Sequence, residues 1–131
     1  MGHTILIAHH QAALRRTLRT VLGFLPCVDA VHEVSDRTQI VAHVAAQRPD
    51  VVVLGLDGPP SLALVRQVRA DGFGGRIVAL ATSAAPALCA AAAAAGVDVV
   101  LDTAGVSAGG LIALQRNVCG SAHDTPVDGV A

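Results

Sequence analysis

Four short apolar runs, Ile5-Leu6-Ile7-Ala8, Val51-Val52-Val53-Leu54, Ile77-Val78-Ala79-Leu80 and Val99-Val100-Leu101, constrain this chain more than any other feature. Each stops at a polar or glycine-rich turn and leads into a helix-like stretch. Continuous apolar runs of this length suit strands buried on both faces, and strands alternating with helices build a parallel α/β sheet. Ligands and catalytic groups of such sheets gather just beyond the carboxyl ends of the strands. Those ends carry His9-His10, Gly55, Ala81 and Thr103, with no acidic pair, nucleophile or lysine among them.

The intervening segments carry helical signals. In 11–24, Leu14, Leu18, Val21 and Leu22 form one apolar stripe while Arg15, Arg16 and Arg19 fall on other faces; Gly23 and Pro26 end the helix. Residues 28–34 are interrupted by Asp29 and His32, which predicts an edge strand with one wetter face. Ser35-Asp36 offers capping oxygens for a helix over 37–47 that buries Ile40, Val41 and Val44. After Arg48-Pro49-Asp50 comes the strongest strand, 51–56. Gly58-Pro59-Pro60 reads as a turn, with Ser61 capping a helix to Ala70; Asp71-Gly72 and Gly74-Gly75 stop it.

A strand over 76–81 leads to Thr82-Ser83, which can cap an alanine-rich helix with Pro86 in its first turn and Gly96 at its close. Alanine favours helix but has little area to bury, so this helix should hold the sheet weakly. A fifth strand over 98–102 and a last helix over 108–118 complete the pattern. Right-handed connection of five such units predicts a flavodoxin-like (βα)5 three-layer sandwich, with a five-stranded parallel sheet ordered 2-1-3-4-5. One domain spans 1–118, and 119–131 is expected to be a disordered tail.

Composition narrows the chemistry. The chain has 131 residues and an aromatic content of 2%, so Val, Leu, Ile and Ala must make the core. All nine basic residues are arginine, which removes any Schiff base or P-loop lysine. A net charge of −1 gives no reason to expect nucleic-acid contact. Cys27, Cys89 and Cys119 are widely spaced and odd in number, suggesting neither a disulfide framework nor a zinc site. A reducing cytoplasm is the expected location. The apolar runs fall far short of the roughly 20 residues needed to cross a bilayer, so no membrane contact is expected. There is no G-x-S-x-G elbow and no G-x-G-x-x-G after the first strand, so hydrolase and dinucleotide-binding classes are set aside.

Ile5-Leu6-Ile7-Ala8-His9-His10 with Leu14-Arg15 and Leu18, then Arg48-Pro49-Asp50 through Leu56, then Ala95-Gly96-Val97-Asp98 together resemble the receiver domain of bacterial two-component response regulators over about residues 3–118. The resemblance implies an acidic pair for magnesium after strand one, a phospho-accepting aspartate ending strand three, a Thr or Ser after strand four, a Lys after strand five and an aromatic switch within strand five. Those positions fall on His9-His10, Gly55, Ala81 (with Thr82 beside it), Thr103 and Val100. The turn after strand three is also about two residues short. The resemblance is therefore to a degenerate receiver, a pseudo-receiver that is not an enzyme and carries no cofactor or metal.

Two alternatives attach to this pocket. Asp57, two positions beyond the lost acceptor, is either a displaced acceptor or a turn aspartate of the Gly58-Pro59-Pro60 loop. His9, His10 and Asp57 form either a small transition-metal or ligand-sensing site, or simple polar lining in which neutral imidazoles avoid the repulsion of two unmetallated carboxylates. Asp98 and Asp102 bracket strand five roughly 13 Å apart and read as solvated turn residues. The function expected is an atypical receiver in signalling or transcription control, acting by protein contacts without aspartyl phosphorylation. Its partners would be an unknown signalling protein and a second copy, through the helix 4, strand 5 and helix 5 face or through helices 1 and 5, where Arg15, Arg16 and Arg19 set partner choice. The expected module either stands alone or has been separated from a DNA-binding output domain.

Overall fold

The computed structural model describes residues 2–36, 39–56, 59–81 and 85–102, without the side chains of 59, 60 and 102. Among them, β1 (His3–Ala8), α1 (Ala12–Gly23), β2 (Val28–Val34), α2 (Ile40–Gln47), β3 (Val51–Gly55), α3 (Pro59–Ala70), β4 (Arg76–Ala81), α4 (Pro86–Ala95) and β5 (Val99–Asp102) follow in that order. The five strands are parallel and ordered β2-β1-β3-β4-β5, as the sequence predicts. The predicted helix over 108–118, the tail, Thr103, Asp57, Thr82 and Ser83 lie outside the described residues.

Successive strand residues point to opposite faces of the sheet, so the apolar runs feed two cores. Leu6, Val52, Leu54 and Ile77 pack with Ile40 and Val44 of α2, Val65 and Val68 of α3 and Ala92 of α4. Ile5, Ile7, Val53 and Val78 pack on the other face with Leu18 and Leu22 of α1. Leu18 and Leu22 are thus the buried part of the predicted stripe, with Leu14 and Val21 half-buried. β2 is an edge strand, and its mixed burial matches its interrupted hydrophobicity.

Helix starts differ from expectation where proline and side-chain caps are concerned. α3 begins at Pro59, so Ser61 lies inside the first turn and is fully buried rather than capping the end. Proline tolerates the first turn because its missing N–H has no intrahelical partner there. α2 begins at Ile40 behind Gln39, without a side-chain cap; the Gln39 N–H donates to the Asp36 carbonyl instead. α2 closes on Arg48, a non-glycine residue in the left-handed region at φ 46°. α4 closes on Gly96 at φ 118°, as its sequence predicts, and buries only Ala92 and Ala95.

Asp98 is exposed, as expected, but it also anchors its surroundings. Its Oδ2 accepts from the Ile77 N–H (2.7 Å) and from Arg69 Nη2 (2.8 Å). Arg69 also donates to the carbonyls of Gly96 (3.0 Å), Phe73 (2.9 Å) and Gly75 (2.7 Å). One guanidinium thus ties the end of α3, the entry to β4 and the α4–β5 connection together at the amino-terminal edge of the sheet. The cysteines depart from expectation: Cys27 is disulfide-bonded, whereas Cys89 takes part in no disulfide. No helix among the described residues is long and apolar enough to cross a membrane.

Candidate functional site

The carboxyl edge of the sheet is assembled by register. Ala8, Leu54 and Ala79 lie on one rung across β1, β3 and β4, with Val100 of β5 paired to Ala79. His9 therefore leaves β1 at the level where Gly55 ends β3, and Gly55 pairs with Leu80. Ala81, the last residue of β4, is buried beside Asp102. Of the sequence-predicted positions, the structure brings His9 and Gly55 into contact and stacks His10 on His9. Val100 is half-buried within β5, which is separated from β3 by β4 in the sheet.

The two histidines are not equivalent. His9 is buried at 9% exposure, and His10 is exposed. The His9 ring lies over Gly55 so closely that a Cβ on residue 55 would stand 2.6 Å from His9 Cδ2 and 2.9 Å from its Nε2. Any side chain at 55, an aspartate included, would compete with the imidazole for one volume. The glycine is explained by close approach alone.

His9 is held on three sides. Its N–H donates to the Val34 carbonyl (3.3 Å), and its own carbonyl accepts from Arg15 Nη1 (2.6 Å). Its Nδ1 accepts from the Gln11 N–H at 3.0 Å, which places the ring proton of the neutral imidazole on Nε2. The His10 ring stacks against it, with centroids 4.8 Å apart and planes 14° from parallel. Burial holds the His9 imidazole below its usual value, and the positive neighbours His10 and Arg15 act in the same direction. Sequence reasoning missed both Gln11 and Arg15 as parts of this site; the spacings to His9 of two and six residues carried no signal for it.

A divalent magnesium ion needs carboxylate, carbonyl and water oxygens. His9 and His10 offer nitrogen, and Gly55 offers no side chain, so the residues described at this edge do not fit that ion. No group of three His, Cys, Asp or Glu side chains among the described residues is arranged to hold any metal. Nδ1 of His9 is already engaged, and stacked rings aim their in-plane nitrogens along parallel planes rather than at a common point.

No protein-family model matches the chain, and no curated protein sequence matches it. Solved structures do match. A LuxR-family two-component response regulator from Aurantimonas sp. SI85-9A1 superimposes at TM-score 0.78 with 20% identity, over 92% of this chain and 87% of that one. The signal receiver domain of the response regulator NarL from Mycobacterium tuberculosis gives 0.79 with 16% identity, over 92% and 98%. This chain has the receiver fold. The isolated receiver domain of RcsB from Salmonella enterica serovar Typhimurium, solved with the phosphomimetic BeF3−, superimposes at 0.76 with 17% identity over 89% of this chain and 88% of that one. At these identities the likeness concerns the receiver fold itself; the His9–Gly55 contact is a property of this chain's own residues.

Proposed function

We propose that this protein is an atypical receiver domain in bacterial signal transduction or transcription control, acting through protein contacts without aspartyl phosphorylation. One observation carries the reading: the His9 imidazole occupies the space that a side chain at position 55 would need. An acyl phosphate at the end of β3 requires a carboxylate there, and both the carboxylate and its room are gone. The domain is not an enzyme under this reading, and it uses neither magnesium nor another cofactor.

Its partner surface is proposed on α4 and β5, used with a second copy or with another signalling protein. The outward residues of α4 include Ala87, Ala90, Ala93 and Ala94, an uncharged face that permits close helix approach. The rival surface on α1 is less available electrostatically. Arg15 and Arg19 are both engaged by Glu33, at 3.5 and 2.8 Å. A cytoplasmic place follows from the signalling role, where a reducing poise would open the Cys27 disulfide.

An amide NMR titration with Mg2+ and beryllofluoride tests the reading. No saturable change in a folded spectrum is the expected result. Saturable shifts at Gly55, Asp57, Thr82 and Thr103 would overturn it and favour Asp57 as a displaced acceptor.

A further inference from the structure

We propose that His9 is a proton-operated plug: protonation of its Nδ1 breaks the bond from Gln11 and drives the imidazole off Gly55, opening the carboxyl end of β3. The inference goes beyond the partner-binding role, and it holds independently of whether the domain takes a phosphoryl group.

The geometry makes the ring's position conditional on charge. The Gln11 N–H can only donate, so Nδ1 must carry a lone pair for the 3.0 Å contact to exist. A proton there sets N–H against N–H at that distance, and the bond becomes a repulsion. That bond and the contact with Gly55 involve the same rigid ring, so losing the first moves the second.

The surroundings act in the same sense. From the segment after β1, the His10 ring lies stacked on the His9 ring, 4.8 Å away. From α1, the Arg15 guanidinium lies at the His9 carbonyl, 2.6 Å away. From β2, the Glu33 carboxylate is held by Arg15 and Arg19. From β3, Gly55 and Leu56 bring no charge. Burial adds a desolvation penalty on the charged ring, consistent with the lowered proton affinity of His9. Protonation is therefore resisted in the closed arrangement and favoured in one where the ring reaches water, which is the condition for a two-state switch. The atoms nearest a Cβ on residue 55 all belong to His9, and His10 lies exposed beside it.

The test is a pH titration of the full chain from 7.5 to 4.5 by 15N-resolved NMR, without Mg2+ or beryllofluoride, so its result is separate from that of the phosphoryl test. At pH 7.5 the ring nitrogens of His9 should report the Nε2–H tautomer. On acidification, the amides of Gln11 and Gly55 should shift together with one midpoint below 6.5, equal to that of the His9 ring. In His10→Gln the midpoint should rise towards 6.5, because one neighbouring charge is removed. In His9→Gln the coupled shifts should vanish. A neutral Nδ1–H tautomer, a Gly55 amide that stays still while His9 titrates, or coupled shifts that persist in His9→Gln would each overturn the plug. Should His9→Gln fail to fold, the tautomer and the coincidence of midpoints in the unaltered chain decide the matter.

Discussion

Arg69 and Asp98, 29 residues apart in the chain, meet at 2.8 Å and fasten the amino-terminal edge of the sheet. The pair faces away from the His9–Gly55 edge, so one end of the domain is stitched by a guanidinium while the other is closed by an imidazole. Arg69→Ala leaves three carbonyls and one carboxylate without their donor. A loss of about 2–4 kcal/mol is expected in urea unfolding, since hydrogen bonds to charged groups contribute roughly 1.5–3 kcal/mol each and do not add. Asp98→Asn keeps an acceptor for the Ile77 N–H and should cost only about 1 kcal/mol, as the ion pair is partly exposed.

The contact between His9 and Gly55 is open to a double-mutant cycle. Gly55→Ala adds a methyl group where His9 already stands and should destabilise by about 1–3 kcal/mol, the usual range for overpacking. In a His9→Ala background the same substitution should cost under about 1 kcal/mol, so the two effects will not add. Additive costs in the unfolding midpoints would mean that the imidazole does not occupy that volume.

Stability should fall with acid through His9. Its proton affinity is lowered on folding, so below pH 6.5 the unfolded chain binds a proton that the folded one resists. The contribution is fully present above pH 6.5 and is lost progressively as the pH drops from 6.5 through the folded value. Urea midpoints measured between pH 7.5 and 5 should therefore decline, with a shallower decline in His9→Gln. Equal slopes in the two proteins would remove His9 as the cause.

Arg48 sits at φ 46° where α2 ends. A left-handed conformation costs a non-glycine residue roughly 1–2 kcal/mol, partly offset by glycine's greater unfolded-state entropy. Arg48→Gly is expected to raise stability by about 0.5–1 kcal/mol, read as a higher thermal midpoint; a lower midpoint would show that the arginine side chain contributes more than the backbone strain removes.

Phe24 and Leu22 give the contrast between exposed and buried apolar groups. Phe24 is 83% exposed and Leu22 fully buried, although both belong to the end of α1. Phe24→Ser should change stability by no more than about 0.5 kcal/mol, and Leu22→Ala should cost about 2–5 kcal/mol by the same unfolding assay.

The frame was legible in the sequence because its signals are local. Continuous apolar runs marked β1, β3, β4 and β5, interrupted hydrophobicity marked β2 as an edge, and Gly96 ended α4 where its φ of 118° requires glycine. The helix starts were less legible, since Pro59 is permitted in a first turn as readily as in a turn before one. The candidate site was legible in part. The chain itself shows that His9-His10, Gly55 and Ala81 stand at strand ends without an acid among them.

Adjacency treats His9 and His10 alike, and Asp98 reads as any turn aspartate. The pairing of β1 with β3 then puts one imidazole over Gly55 and leaves its neighbour at the surface, while the packing of α3 beside β4 and β5 brings Arg69 to Asp98. Periodicity and turn chemistry act over a few residues and so appear in the sequence. Which of two neighbouring side chains becomes a plug, and which carboxylate becomes an anchor, depends on strand register and helix docking between distant segments, and those exist only once the chain has folded.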